Sequence, residues 1–263
     1  MDGGKRAGSR DGPLIVARAR CHDAAIEAVE IGRATVITWA DRPQNPSYNR
    51  AYDVDLGEPG VAARAVAHMR ARGQRPRIEI LAGTAGDTAE LAALGLAPLW
   101  EVVTLRLDLE APLPAPPPSD ALVRPALPAE AEAFGALAVR AYGAPPPHLP
   151  VDPGAAGTWA ALCQLGHARC FFAERAGVPC AIGVFVPAGD AAFVDGAATL
   201  PEHRGHGCQS ALLSRRFHEA RATGARVAVT RAGAGTPSQR NLERAGMEVW
   251  RRMEVWGAPA ATG

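Results

Sequence analysis

A short segment in the C-terminal half of the chain places two glycines around a histidine, just before an amphipathic helical pattern. It reads ATLPEHRGHGCQSALL, from Ala198 to Leu213. The first amides of a helix lack hydrogen-bond partners and carry partial positive charge, and glycines ahead of them let the main chain curl around an anion. Each amide-to-phosphate bond contributes about 1.5–3 kcal/mol. The segment therefore predicts a site where backbone amides, without lysine, hold a diphosphate.

A plain strand-to-helix turn, with glycine serving only the backbone conformation, is the alternative interpretation of the same residues. Two nucleotide-binding motifs are excluded, because the segment contains neither GxxxxGK[ST] nor a third glycine at the dinucleotide spacing. His203 and His206 flank the turn, but no third ligand follows at a metal-binding spacing. The sequence therefore predicts exposed loop histidines and no metal site.

The overall composition bounds the class of protein. The chain has 263 residues, a formal net charge of +1 and 48% hydrophobic residues, which suits one large or two ordinary globular domains. A net charge this close to zero does not indicate the basic surface that nucleic-acid binding needs. The five cysteines are an odd number without a CxxC pair, which favours free thiols in a reducing compartment. Apolar runs are too short for a membrane span or a signal peptide, so we expect a cytoplasmic protein.

A proline-rich segment divides the chain. Residues 111–120 read APLPAPPPSD, and repeated prolines favour an extended, semi-rigid linker. We therefore expect a disordered N-terminus over residues 1–12, a first domain over residues 13–110, and a second domain over residues 121–263.

The second domain alternates strand and helix patterns in the order β-α-α-β-β-β-α-β-α-β. Strands are predicted at residues 121–124, 168–174, 179–187, 191–200, 226–231 and 249–256, and helices at 129–142, 154–165, 209–223 and 238–245. This order implies a mixed sheet with helices packed on it. In the first domain the patterns predict strands at 77–81 and 99–107 and a helix at 87–94. The segment NPSYNRAYDVDLG, residues 45–57, has the composition of a surface loop, with a remnant binding edge as the alternative.

Two segments about 150 residues apart end in the same way, namely LAALGLAPLWEVVTL from Leu91 and LERAGMEVWRRMEVW from Leu242. Each has a short helix, a glycine at its cap, one large apolar residue and a strand containing tryptophan. The similarity predicts two copies of one unit. The first copy lacks an RGHG segment, so we expect it to be degenerate.

The neighbourhood of the glycine turn is more specific than the turn itself. The sequence around the turn has a fixed order: a strand, the motif P-x-x-R-G-x-G, an amphipathic helix, a second strand and the motif S-x-x-N-x-x-x-x-G. With this order, residues 121–256 resemble the GCN5-related N-acetyltransferase (GNAT) superfamily. The acyl-CoA motif of that family, [RQ]-x-x-G-x-[GA], aligns on Arg204, Gly207 and Gln209, where glutamine replaces Gly or Ala. The resemblance, which extends to tandem members, implies an α/β (α+β) fold. Two tandem copies would each have a mixed, mostly antiparallel sheet flanked by helices.

The resemblance also implies acetyl-CoA as the cofactor. In the family, the fourth strand pairs its backbone with the pantetheine arm, the turn holds the pyrophosphate, and a bulged strand amide polarises the thioester carbonyl. The implied cofactor-binding residues are Ala197, Ala198, Thr199, Arg204, Gly205, His206, Gly207, Cys208, Gln209 and Asn241. Local capping by Asn241 and a core-facing Cys208 are the alternatives. Among Arg215, Arg216, Arg240 and Arg244, a contact to the 3′-phosphate competes with a solvated helix face.

The family reaction is direct attack of an amine on the acetyl thioester, which needs a deprotonated amine and a protonated leaving thiolate. Asp195 is the candidate base, with a solvated strand carboxylate as the alternative. Leu242 occupies the family's usual tyrosine position, which leaves water, Tyr142 or a substrate group as the acid. Tyr142, His148 and Trp159 are the candidate acceptor-binding residues, because they follow the first helix of the domain.

The predicted function is acetyl-CoA-dependent N-acetyltransfer to an amine of a small molecule or a protein. The alternative is a non-catalytic acyl-CoA-binding or partner-binding protein that retains the cofactor turn. A third interpretation, an unrelated phosphate-binding α/β protein, predicts no preference for CoA over ADP. We expect neither a nucleic-acid nor a membrane partner, and a homodimer is compatible with the sequence.

Overall fold

One mixed sheet of eleven strands runs through the protein, with helices packed on it. The computed structural model describes residues 15–17, 19, 25–43, 45, 47–83, 88–143, 153–164, 166 and 168–258. The expected disordered N-terminus, residues 1–12, lies outside these residues. None of the described helices combines the length and apolarity that crossing a bilayer requires.

The two halves of the chain contribute their elements in the same alternating manner. The first half contains β1 (Glu27–Ile31), β2 (Ala34–Thr38), β3 (Arg50–Tyr52), α1 (Val61–Ala71), β4 (Arg77–Leu81), α2 (Ala89–Ala93) and β5 (Ala97–Asp108). The second half contains β6 (Leu122–Pro125), α3 (Ala131–Tyr142), α4 (Ala155–Gln164), β7 (Arg169–Arg175), β8 (Val178–Ala188), β9 (Ala191–Thr199), α5 (Cys208–Ala222), β10 (Val227–Gly233), α6 (Pro237–Arg244) and β11 (Glu248–Gly257). The predicted element order of the second half is confirmed, with bounds shifted by at most two residues.

The first half contains strands that the sequence did not predict. Residues 45–57 were expected to form a surface loop, and this expectation is wrong for the part that forms β3. The polar side chains there are buried because partners inside the protein satisfy them. Asn49 accepts a hydrogen bond from the Trp39 amide at 2.8 Å, and Arg50 binds Glu79 at 2.9 Å.

The strand pairing repeats itself. The order across the sheet is β1-β2-β3-β4-β11-β5-β10-β9-β8-β7-β6. The β3–β4 and β9–β10 pairs are parallel and the others are antiparallel. The series β1 to β5 therefore has the same pairing pattern as the series β7 to β11, which confirms two copies of one fold.

The two copies exchange their last strands. β11 lies between β4 and β5, and β5 lies between β11 and β10. The exchanged strands pair with each other along most of their length, from Glu248 opposite Arg106 to Gly257 opposite Ala97. Each half of the sheet therefore needs a strand from the other half to cover an edge that would otherwise expose unpaired backbone groups.

The helices of the second half lie on opposite faces of the sheet. Successive residues of a strand point to opposite faces. Phe172 contacts Phe134 of α3, with ring centroids 5.4 Å apart, whereas its neighbour Phe171 lies under Arg215 of α5. The helices α3 and α4 pack closely together, so both cover one face while α5 covers the other.

Candidate functional site

A gap opens between β9 and β10 in the second half. The two strands pair in parallel only over their first residues, from Ala191 opposite Val227 to Phe193 opposite Val229. At the fork, the Thr230 hydroxyl donates to the Val194 carbonyl at 2.5 Å. Further along, residues 197–199 keep their ladder to β8 while β10 diverges. The gap therefore widens towards the N-terminus of α5, as expected at the carboxyl ends of parallel strands.

An open cavity of about 940 Å³ fills this region. All ten predicted cofactor-binding residues line it, together with Tyr142. The wall also contains His203, which flanks the turn, and Arg244, one of the arginines weighed for a contact to the 3′-phosphate. Its remaining residues were not singled out in the sequence and are Pro117, Pro118, Ser119, Asp120, Ala141, Arg175, Ser210, Pro237 and Ser238.

The turn before α5 presents a row of amides without partners. Gly205 and Gly207 both have positive φ, at 79° and 78°, and Gly207 caps the helix. Within the described part of the chain, the amides of residues 205–210 donate to no other group, and the first bonded amide is that of Ala211, to the Gly207 carbonyl at 2.9 Å. The Arg204 amide differs from the expectation, because it donates to the Pro201 carbonyl at 3.2 Å. The row therefore begins at Gly205.

The side chain of Arg204 clamps the wall of the cavity. Its Nε donates to the Thr199 carbonyl and its Nη2 to the Ala141 carbonyl, each at 3.2 Å. These bonds join the end of β9 to the last turn of α3, where the carbonyls attract a cation. Arg204 thus fixes the position of the strand end beside the turn.

The end of the linker lies directly on the glycine turn. The Ser119 hydroxyl donates to the His206 carbonyl at 3.0 Å and accepts from the Ala121 amide at 3.1 Å. A Cβ on Gly207 would lie 2.7 Å from the Ser119 hydroxyl oxygen, so this position has no room for a side chain. Asp120 forms a bidentate pair with Arg175, the closest atoms 2.8 Å apart, and the hydrogen bonds from Arg175 lower the pKa of Asp120.

A β-bulge interrupts β9 at Gly196. Ala197 lies opposite Gly183 and Asp195 opposite Val184, so Gly196 is the extra residue. Its φ is 37°, and a Cβ there would lie 2.3 Å from Cζ3 of Trp159. The family resemblance implies a bulged amide in this strand, without naming the residue.

Two of the three predicted acceptor-binding residues meet beside the bulge. Tyr142 stacks on Trp159, with ring centroids 5.4 Å apart and an interplanar angle of 18°. Tyr142 also lines the cavity, so the pair connects the cavity with the region around Asp195 and Gly196. His148 lies outside the described residues. Leu242 is 4% exposed and belongs to the core, so it offers no proton at this site.

The arginines that could contact the 3′-phosphate of CoA occupy different environments. Arg244 lines the cavity and donates to Oδ1 of Asn241, which is on the same wall. Arg215 pairs with Glu219 on the helix surface at 2.6 Å. Arg216 was expected on a solvated helix face, and this expectation is wrong because the side chain is 1% exposed and lies under the bulge. Cys208 is buried, with its Sγ 3.6 Å from the Sγ of Cys180.

Two amides of the corresponding turn in the first half have partners. Residues 57–60, GEPG, precede α1, and Gly60 caps that helix with a φ of 66°. The Gly57 amide donates to Oδ1 of Asp55 at 2.9 Å, and the Glu58 amide to the Asp55 carbonyl at 3.0 Å. The Glu58 carboxylate accepts from the Arg33 amide at 3.0 Å. This turn therefore contains one acidic residue, Glu58, and bonds another, Asp55, whereas residues 204–207 contain none.

Comparisons with known proteins agree with this geometry. Residues 133–247 match the model of the Acetyltransferase (GNAT) family. A GCN5-related N-acetyltransferase from Kribbella flavida has a TM-score of 0.65 at 18% identity, over 97% of this chain and 98% of that one. One from Sphaerobacter thermophilus has a TM-score of 0.64 at 16% identity, over 94% and 91%.

A tandem GNAT protein from the clavulanic acid biosynthesis pathway has a TM-score of 0.58 at 16% identity, over 98% of this chain and 90% of that one. At these identities the solved structures show a shared fold. The search of curated proteins gave no match. The match to the Acetyltransferase (GNAT) family model over residues 133–247 covers the gap, the bulge and the glycine turn.

Proposed function

We propose that the protein transfers an acetyl group from acetyl-CoA to an amine of a small molecule or a protein. The observation that carries the proposal is the row of unpartnered amides at residues 205–210, beside a cavity of about 940 Å³. Gly205 and His206 are exposed, whereas residues 207–210 are buried or half-buried at the start of α5. These amides face an open cavity and have no partner in the described chain, so a ligand that accepts hydrogen bonds can bind them. A diphosphate is such a ligand at a helix N-terminus.

The rest of the cavity fits the remaining parts of CoA. Residues 197–199 are small and lie on the strand edge that β10 leaves, so an extended pantetheine arm can approach their backbone. Arg244 on the wall, whose side chain donates to the neutral amide oxygen of Asn241, supplies positive charge for the phosphate of the ribose. Bound acetyl-CoA would supply the activated acyl group. The family relationship over residues 133–247 supports this cofactor.

The residues around the bulge are assigned to the chemical step. The amide of Gly196 is the candidate donor to the thioester carbonyl, as in other oxyanion sites. Asp195 is the candidate base for the acceptor amine, directly or through water. Tyr142 and Trp159 form the candidate acceptor wall, because their stacked rings lie between the cavity and the bulge.

The assignment of Asp195 predicts a specific kinetic defect. Asp195→Asn should lower turnover about tenfold to a hundredfold and remove the acidic limb of the pH–rate profile, because the amide cannot accept a proton. The affinity for CoA should stay within about twofold of the wild-type value, since the amide row at residues 205–210, here called the cradle, does not include Asp195. A profile with the wild-type shape would exclude Asp195 as the base.

A thiol-release assay tests the function itself. Acetyl-CoA is incubated with the protein and a panel of small amines and peptides, and free CoA thiol is measured over time. Turnover with any amine supports the proposal. CoA binding without turnover across the panel would favour a non-catalytic acyl-CoA-binding protein, and equal affinity for CoA and ADP would favour a phosphate-binding protein of another kind.

We also propose that the second half alone binds the cofactor. In the first half, the Asp55 carboxylate accepts a hydrogen bond from the Gly57 amide of the turn. The Glu58 carboxylate accepts one from the Arg33 amide and adds negative charge beside the turn. A diphosphate would have to displace these carboxylates and overcome their repulsion. One CoA per chain is therefore the expected stoichiometry by calorimetry, and two would contradict this assignment.

A further inference from the structure

Arg216 of α5 is a charged side chain in the interior of the protein. It is 1% exposed. Its Nε donates to the Leu212 carbonyl at 3.0 Å, and its Nη1 donates to the Val184 carbonyl at 3.2 Å and to the Asp195 carbonyl at 2.8 Å. Val184 and Asp195 lie opposite each other in β8 and β9, next to the bulged Gly196. The guanidinium therefore binds the backbone at the point where the ladder is interrupted.

The neighbouring residues make room for this group. A Cβ on Gly183 would lie 3.1 Å from Nε and 3.2 Å from Cζ of Arg216, so the glycine lets the guanidinium reach the strands. Burial lowers the pKa of Arg216 to about 10, which leaves it charged at neutral pH. Its Nη2 has no hydrogen-bond partner among the described residues. An apolar side chain would fill such a place at lower cost, so packing alone does not explain an arginine here.

The carbonyl of Asp195 and the amide of Gly196 belong to one peptide group. The described chain contains no cis peptide bond, so this N–H points opposite to that C=O. Arg216 approaches from the face covered by α5 and holds the carbonyl. Trp159 lies against Gly196 from α4, on the other face. The Gly196 amide is thus directed away from the guanidinium.

We propose that Arg216 is a positioning residue, which fixes the Asp195–Gly196 peptide and polarises it so that the Gly196 amide becomes a stronger donor to the thioester carbonyl. A cation bound to a peptide oxygen draws electron density from the nitrogen, and hydrogen bonds in series strengthen one another. Arg216 itself touches neither substrate. This inference rests on the proposed acetyl-CoA-dependent function and adds a device that acts through the backbone.

Infrared spectroscopy tests the proposal without an identified acceptor. Acetyl-CoA labelled with carbon-13 at the thioester carbonyl is bound to the wild type and to Arg216→Met, and the carbonyl stretch is measured. In the wild type we expect a shift to lower frequency relative to free acetyl-CoA. In Arg216→Met we expect at least roughly half of that shift to be lost, with the dissociation constant of CoA within about twofold of wild type.

Two further variants separate positioning from folding. Arg215→Met removes the neighbouring arginine, which pairs with Glu219 on the helix surface, and should keep the wild-type shift. Arg216→Lys retains a charge that can reach a carbonyl and should give an intermediate shift, which keeps the test valid if the methionine variant fails to fold. Where turnover is found, Arg216→Met should lower kcat about tenfold or more, with a smaller effect on KM.

The outcomes distinguish the two proposals. A wild-type shift in Arg216→Met, or a wild-type protein that binds acetyl-CoA without any shift, overturns the role of Arg216 and leaves the proposed function standing. A wild-type protein that does not bind acetyl-CoA overturns the proposed function, and the role of Arg216 with it.

Discussion

At the scale of single residues, the site depends on glycines at places where a side chain could not stand. Gly207 has a φ of 78°, and a Cβ added to it would collide with Ser119. Gly196 has a φ of 37°, and a Cβ added to it would collide with Trp159. Gly205 shares the left-handed conformation but has open space around its Cβ direction. Conformation and close approach are therefore separate requirements, and they coincide at Gly207 and Gly196.

Gly207→Val should weaken CoA binding by about tenfold or more, because the side chain would push Ser119 away and distort the amide row. The left-handed conformation adds roughly 1–2 kcal/mol of strain for a residue with a Cβ. Calorimetric titration with CoA measures the affinity, and thermal unfolding measures the strain. Gly224→Val is the matched control, since Gly224 has a φ of 87° with nothing near its Cβ direction. Equal losses of CoA affinity in the two variants would contradict the proposed cradle.

At the scale of elements, the proline-rich segment 111–120, predicted as a linker, does more than join the two halves of the chain. Arg221 of α5 donates to the carbonyls of Leu109 and Ala111 at its start, and Ser119 bonds the glycine turn at its end. The linker therefore runs along α5 and closes one side of the cavity. The stiffness of its prolines helps here, because less conformational entropy is lost when the segment is fixed.

Ser119→Ala should weaken CoA binding by about threefold to tenfold, because one neutral hydrogen bond that holds the turn contributes about 1 kcal/mol. Ser214→Ala, on α5 outside the cavity, should leave the affinity unchanged. Isothermal titration of both variants provides the measurement. An unchanged Kd in Ser119→Ala would mean that the turn keeps its shape without the linker.

The ion pair between Asp120 and Arg175, next to Ser119, determines how the contact between the proline-rich segment and the glycine turn should respond to pH. Arg175 lowers the pKa of Asp120, so the contribution of the pair is present above the ordinary aspartate pKa of about 3.9 and is lost as the pH falls through the lowered value. Between pH 5 and 8, CoA affinity should therefore show no step from Asp120. Measuring the dissociation constant of CoA for the wild type and for Asp120→Asn between pH 5 and 8 checks this prediction. A change of affinity with pH that occurs only in the wild type would contradict a lowered pKa of Asp120.

At the scale of the whole molecule, the exchange of β5 and β11 makes the two halves one folding unit. A protease site inserted after Ala115, which is exposed in the linker, permits a direct test. After cleavage, the two fragments should co-elute in size-exclusion chromatography under native conditions and separate in denaturant, because each supplies a central strand to the other. Separation under native conditions would mean that the exchanged pairing contributes little to stability.

A buried ion cluster adds a second tie between the halves. Glu79 of β4 is 0% exposed and binds Arg50 of β3 at 2.9 Å and Arg231 of β10 at 2.6 Å. Glu79→Gln should lower the free energy of unfolding by roughly 3 kcal/mol, because two buried guanidiniums lose a charged partner. Glu27→Gln, which breaks an exposed pair with Arg72, should cost less than about 1 kcal/mol. Chemical denaturation measures both losses. Equal losses in the two variants would mean that the buried position of Glu79 does not strengthen its ion pairs.

Much of the site was predictable because its determinants are local. The glycine turn, the strand before it and the helix after it follow one another in the chain, so all ten predicted cofactor-binding residues line one cavity. The contact between Ser119 and His206 joins residues 87 positions apart, and no local pattern encodes it. Arg216 was misjudged for a related reason, since the charges beside it on α5 suggested solvent while the carbonyls that bind it come from β8 and β9.

The amino-acid sequence by itself determined the element order of the second half, the glycine turn before α5 and the repeat of helix, glycine and strand, because these depend on short-range periodicity and backbone freedom. The tertiary structure alone decided how the copies combine. The repeat identified β5 and β11 as equivalent, yet each satisfies its backbone hydrogen bonds against the other half. Strand pairing is a long-range choice among similar edges, and the pattern of side chains along either strand is the same whichever edge it joins.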